Sequence, residues 1–75
     1  MGKLRVFSGK QVCRLLEQQG FVNVRQRGSH VVMQKKTESS TITVPVPIHP
    51  TVRIGTLQSR IRQSKLLREL FEVQE

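Results

Sequence analysis

Apolar positions in the first part of the chain recur at helical spacing. Val12, Leu15 and Leu16 fall on one face of a helix, and the residues before them carry a start signal. Ser8-Gly9-Lys10-Gln11 fits a capping box, in which the Ser8 hydroxyl accepts from the Gln11 N–H and the Gln11 side chain accepts from the Ser8 N–H. Phe7 and Val12 flank that cap at the spacing of a hydrophobic staple. Gly20 can take the positive φ that ends a helix. The first helix is expected over about residues 9–19.

The period then changes to two. A short strand of mixed alternation is expected from Phe21 to Gln26, broken by Gly28. "HVVMQKK" opens the next strand at His30, with Val31 and Met33 on one face and Val32 on the other. "TESS", residues 37–40, is polar and turn-like. "TITVPV", residues 41–46, places Ile42, Val44 and Val46 on one face. Pro45 and Pro47 donate no ladder hydrogen bond, so the end of this strand is an edge or an exit. Residues 47–54 read as a connecting loop. Thr56 is the expected N-cap of a second helix, with Leu57 and Ile61 inward and Arg60 and Arg62 not. "SKLLRELFEVQE" continues or restarts as helix, with Ser64 a candidate cap. Its Leu66, Leu67, Leu70 and Phe71 would form core or a partner-binding face.

These elements predict an α+β fold in the order α-β-β-β-α. Three antiparallel strands would form a meander, with the helices covering one face as a two-layer sandwich. Double-stranded-RNA-binding domains use the same order, although a fold does not fix a function. With no internal repeat, the chain reads as a single domain, residues 1–75.

Charge adds a partner class. Thirteen Lys and Arg stand against five Glu, there is no Asp, and the net charge is +8. The basic residues are spread along the chain, which points to a folded cationic surface rather than a basic tail. A polyanion is the natural partner, nucleic acid before membrane. With no Trp or Tyr and three Phe, binding by base stacking on aromatic platforms is disfavoured. No signal peptide and no apolar run long enough to span a bilayer is apparent, so a soluble, cytoplasmic chain with no membrane partner is expected. The single Cys13 sits beside Val12 and Leu16 in the helical pattern and reads as a buried structural thiol.

The candidate chemistry is narrow. The two histidines, His30 and His49, lack zinc-ligand spacing, and the Glu residues are scattered, so neither a metal nor another cofactor is expected. Ser29 and His30 are adjacent, but no Asp exists to orient an imidazole for a serine nucleophile. Metal-free chemistry on RNA remains. The 2′-OH can attack the adjacent phosphate if a base, an acid and cations are supplied. His30 with Arg25, Arg27, Lys35 and Lys36 holds that inventory within one hairpin. Gly28 allows close approach of a phosphate backbone, and Ser29 adds a small hydroxyl. Arg60, Arg62 and Lys65 would extend the cationic track, and His49 is a second acid–base candidate. The residues alone leave a second reading open, a solvated turn histidine on a non-catalytic double-stranded-RNA-binding module.

Several short stretches, taken in order, change that balance. "SGKQVCRLLEQQGFVNVRQRGSHVVMQK", "TVPVP" and "IGTLQSRIRQS" together resemble the HicA family of toxins from HicA/HicB toxin–antitoxin systems. The resemblance runs from Ser8 to about Ser64. It implies a small double-stranded-RNA-binding-like fold acting as an mRNA interferase, an endoribonuclease that cleaves messenger RNA and arrests translation. It implies a catalytic role for His30, with Gly28 and Ser29 at its flanking positions. It further implies an acidic HicB-like antitoxin that covers His30. The chain departs from the family pattern after Arg62-Gln63, where a Gly-containing turn is frequent and this sequence reads Ser64-Lys65.

Overall fold

The structure, a computed structural model, describes residues 2–73. Its elements are α1 (Gly9–Gln18), β1 (Val22–Arg27), β2 (His30–Lys36), β3 (Thr41–Pro47), α2 (Ile54–Ser64) and a 3₁₀ turn, Arg68–Phe71. The strands form one antiparallel sheet in the order β1-β2-β3. This is the α+β arrangement, and the α-β-β-β-α order, that the alternation along the chain predicts.

Local signals act as the pattern requires. The Ser8 capping box forms in both directions, at 3.2 and 2.9 Å. Gly20 has φ +96, its N–H donates to the Glu17 carbonyl and the Phe21 N–H donates to the Leu16 carbonyl. That pair of bonds is the Schellman motif, and Leu16 and Phe21 supply its apolar contact within the core. In the 37–40 turn, the Thr37 N–H and hydroxyl both donate to the Ser40 carbonyl.

The core lies between the helices and one face of the sheet. Val12 and Leu16 of α1 and Leu57 and Ile61 of α2 pack with Val31 and Met33 of β2 and Val44 and Val46 of β3. The other sheet face is left open. There Arg25 lies opposite Val32, and Arg27 opposite His30, with Lys36 further along β2. The ladder skips Val24, which is 51 % exposed on the outer edge strand.

Three expectations are corrected. Helix α2 begins at Ile54, and Arg53, extended at φ −61 and ψ 147, occupies the cap position assigned to Thr56. The Arg53 carbonyl accepts from the Leu57 N–H at 2.8 Å, which places Thr56 inside the first turn. Second, of the two readings of "SKLLRELFEVQE", only the restart holds: α2 ends at Ser64 and a 3₁₀ turn follows at Arg68–Phe71. Lys65 turns left-handed at φ +60, and Ser64 seals the end of α2, its hydroxyl donating to the Ile61 carbonyl and accepting from the Leu66 N–H. Phe71 is buried and Leu66 packs on the core, whereas Leu67 is 69 % exposed. The last two residues of that stretch, 74 and 75, lie outside the described residues. Third, Cys13 is only half-buried, although burial and the nearby Glu17 charge raise its pKa.

One feature had no sequence signal. The N-terminal segment pairs with the C-terminal turn, through Arg5 N–H to Phe71 O at 2.9 Å and Val73 N–H to Lys3 O at 2.7 Å. Phe7 and Phe71 meet edge to face at 5.7 Å beneath this pairing.

A left-handed Lys65 carries a steric cost that glycine avoids. Lys65→Gly is expected to raise stability by about 1 kcal/mol, read as a higher midpoint in urea unfolding with an unchanged slope. An unchanged or lowered midpoint would show that Lys65 makes compensating contacts.

Candidate active site

The β1–β2 hairpin closes through Gly28 and Ser29, with Arg27 paired to His30. Gly28 takes φ +55 and Ser29 does not have positive φ, the pattern of a type II′ loop. A side chain at Gly28 would meet nothing within 4 Å, so the turn tip is open to solvent. His30, the first residue of β2, is exposed and points to the uncovered face. Its Nδ1 lies 3.5 Å from the Ser29 hydroxyl.

The exit of β3 brings the second histidine to the same place. His30 pairs with Pro47, and the Ile48 N–H donates to the Ser29 carbonyl at 2.6 Å. The His49 carbonyl then accepts from the Gly9 N–H at 2.9 Å. Residues 47–49 are thereby held between the hairpin tip and the start of α1. His30 and His49 line one pocket of 360 Å³, together with Pro47, Thr51, Val52, Arg53, Thr56 and Arg60. Among the described residues, no carboxylate lines it.

Arg60 is half-buried, its Nη1 donates to Gln63 Oε1 at 3.4 Å, and its Nε is buried without a hydrogen-bond partner among the described residues. The sequence pattern places Arg60 away from the core; the structure sets it in the pocket wall. Such a pocket can do two things chemically. Two imidazoles can exchange protons with a substrate, and two guanidiniums can hold an oxyanion.

The remaining expected residues divide. Arg25, Arg27 and Lys36 share the open sheet face with His30. Lys35 points to the helix side, its ammonium 5.9 Å from the Phe21 ring centroid. Arg62 lines a separate groove with Gln58, Ile61 and Arg68. Arg53, Thr51 and Thr56 were not singled out as site residues by the sequence pattern. The Pro-rich loop that carries two of them gives no periodicity to read. Among the described residues, no three His, Cys, Asp or Glu side chains are grouped as metal ligands, and no helix is long and apolar enough to cross a membrane.

No curated protein matches the chain. The family model described as the HicA toxin of bacterial toxin–antitoxin systems matches residues 9–66, from the first residue of α1 to just beyond the end of α2. That span includes both histidines and every residue of the pocket. The chain belongs to the HicA family, the toxin member of a bacterial toxin–antitoxin pair.

Proposed function

We propose that this toxin is a metal-independent endoribonuclease, an mRNA interferase that arrests translation by cutting messenger RNA. One observation carries the reading. The chain's two histidines, distant in sequence, line a single pocket with Arg53 and Arg60, and among the described residues no carboxylate lines it.

RNA lies across the open sheet face, its phosphates held by Arg25, Arg27 and Lys36, with Gly28 and Ser29 admitting the backbone at the hairpin tip. At the pocket, one histidine accepts the proton of a ribose 2′-OH as that oxygen bonds to the adjacent phosphorus. The bond to the 5′-oxygen breaks, and the other histidine protonates that oxygen. The products are a 2′,3′-cyclic phosphate and a free 5′-hydroxyl. His30, at the mouth of the open face, acts as the general base or the general acid, and His49 is its counterpart. Arg53 and Arg60 stabilise the charge on the non-bridging oxygens. Lys35 and Arg62, set away from this cluster, would contribute to longer-range steering.

The antitoxin is expected to be an acidic HicB-like protein that covers His30. A +8 surface with an exposed site favours an acidic partner, through faster association and through occlusion together. In the presence of EDTA, the purified toxin should cut a single-stranded RNA and leave 2′,3′-cyclic phosphate ends, while the all-deoxy strand stays whole. Intact RNA bound in a gel shift would instead favour a non-catalytic RNA-binding module.

Salt should weigh heavily on binding. If about five phosphates are neutralised, affinity for a non-cleavable single strand falls roughly a hundredfold between about 50 and 200 mM salt. Fluorescence anisotropy at several salt concentrations gives the slope; a flat dependence would remove the phosphate contacts from this account.

A further inference from the structure

The half-buried guanidinium in the pocket wall is not explained by holding the fold together. Arg60 has no ion-pair partner among the described residues, where the one salt bridge joins Arg68 and Glu72. Its Nη1 reaches Gln63 at the long distance of 3.4 Å, and its Nε is sealed from solvent with nothing among the described residues to donate to. An unneutralised, partly desolvated cation with an unspent donor is an unfavourable arrangement unless an anion completes it.

The surroundings fit one kind of anion. Arg60 lines the pocket with Arg53, His30, His49, Thr51 and Thr56, and among the described residues no carboxylate there competes. The first turn of α2 begins at Ile54 with no side-chain cap on its N–H groups. A volume of 360 Å³ is ample for a phosphate group with part of its ester. A guanidinium meets a phosphate through Nε and one Nη side by side, and the Arg60 Nε is unspent.

We propose that this pocket is a subsite for a single phosphate group, organised by Arg60, that takes a phosphate monoester independently of any RNA strand. It deepens the ribonuclease reading and rests on it only for the source of the phosphate, which is the scissile phosphate of the RNA or the 3′-phosphate monoester formed when water adds to the 2′,3′-cyclic end and its bond to the 2′-oxygen breaks. Free phosphate and phosphate-ended fragments therefore compete with substrate, and the site is subject to product inhibition.

The probe is inorganic phosphate, added to the full-length protein without RNA while the imidazole C–H resonances of His30 and His49 are recorded by NMR. Both resonances should move together and saturate at one phosphate per chain, with no such change in chloride of equal ionic strength. Arg60→Lys keeps the charge but loses the fork and should weaken binding roughly tenfold. Arg60→Gln should abolish saturation. Arg14→Gln, on the exposed face of α1, should bind as the parent does. If Arg60→Gln loses its dispersed spectrum, Arg60→Lys carries the comparison.

Unsaturable shifts in the parent, or equal saturation in Arg60→Lys and the parent, overturn the subsite. A second arm separates the two phosphate sources. An all-deoxy strand bearing a 3′-phosphate should inhibit RNA cleavage more than tenfold better than the same strand with a 3′-hydroxyl; equal inhibition overturns the monoester preference. Cleavage of RNA without saturable phosphate binding sinks this inference alone, and phosphate binding without cleavage sustains it while the nuclease reading falls.

Discussion

His30→Ala is expected to lower RNA cleavage by roughly 10²–10⁴-fold, the range lost when a positioned acid–base group is removed. Stability should hardly change. His30 is exposed, lies on the sheet face away from the core, and its one side-chain hydrogen bond is the 3.5 Å contact with Ser29. A surface substitution of this kind falls within about 0.5 kcal/mol of the parent. The two readouts therefore separate chemistry from folding. Cleavage of a labelled single-stranded RNA gives the first, and urea unfolding gives the second. Binding to an all-deoxy strand should stay close to that of the parent, because Arg25, Arg27 and Lys36 remain in place. Expression of the variant without its antitoxin should no longer arrest growth. A variant that cleaves at the parent rate would remove His30 from the reaction. A variant that fails to bind would make His30 a contact rather than an acid or base.

The secondary structure was legible because its signals are local. A capping box, a Schellman glycine and two-residue alternation each act over a few neighbouring positions, and α1, β2 and β3 follow them closely. Where a boundary depends on tertiary contacts, the pattern was insufficient. Arg53 is an unremarkable residue in a Pro-rich loop, yet its carbonyl opens α2. Ser64 looked like a start and became a stop, because the left-handed Lys65 beside it ends the helix.

The site divides in the same way. His30 and the hairpin cations are close in sequence, so their common placement could be read from it. Alternation also separates Lys35 from Lys36, which a count of basic residues does not register. Convergence of His49, Arg53 and Arg60 on His30 is set by the Ile48–Ser29 hydrogen bond and by the docking of residues 47–49 on α1. Nothing in the spacing of those residues reports it. The unpaired Arg60 Nε is a property of packing, and a helical wheel that turns Arg60 outward cannot show it.

That docking also underlies the second large effect, an expected loss of about 3 kcal/mol for Gly9→Ala. Helix propensity points the other way, since alanine is better than glycine in a helix by about 1 kcal/mol. Sterics should win. A Cβ at Gly9 would sit 2.1 Å from the Pro47 carbonyl oxygen and 2.7 Å from the Ile48 Cα, and both are backbone atoms that no side-chain rotation can move aside. Relief requires α1 or residues 47–49 to shift, which strains the 2.9 Å bond from the Gly9 N–H to the His49 carbonyl. For a chain this small, a few kcal/mol is most of the stability that a single core supplies. Gly55→Ala is the matched control. It also lies in the first turn of a helix, but nothing stands within 4 Å of its Cβ, so propensity should prevail and raise stability by about 0.5–1 kcal/mol. Urea unfolding of the two variants should thus move in opposite directions from the parent. Where Gly9→Ala stays folded at low temperature, RNA cleavage should still fall, because the displaced segment carries His49. Equal stabilisation by both alanines would mean that α1 and the 47–49 segment are not packed backbone to backbone, and the joining of the two histidines would lose its structural cause.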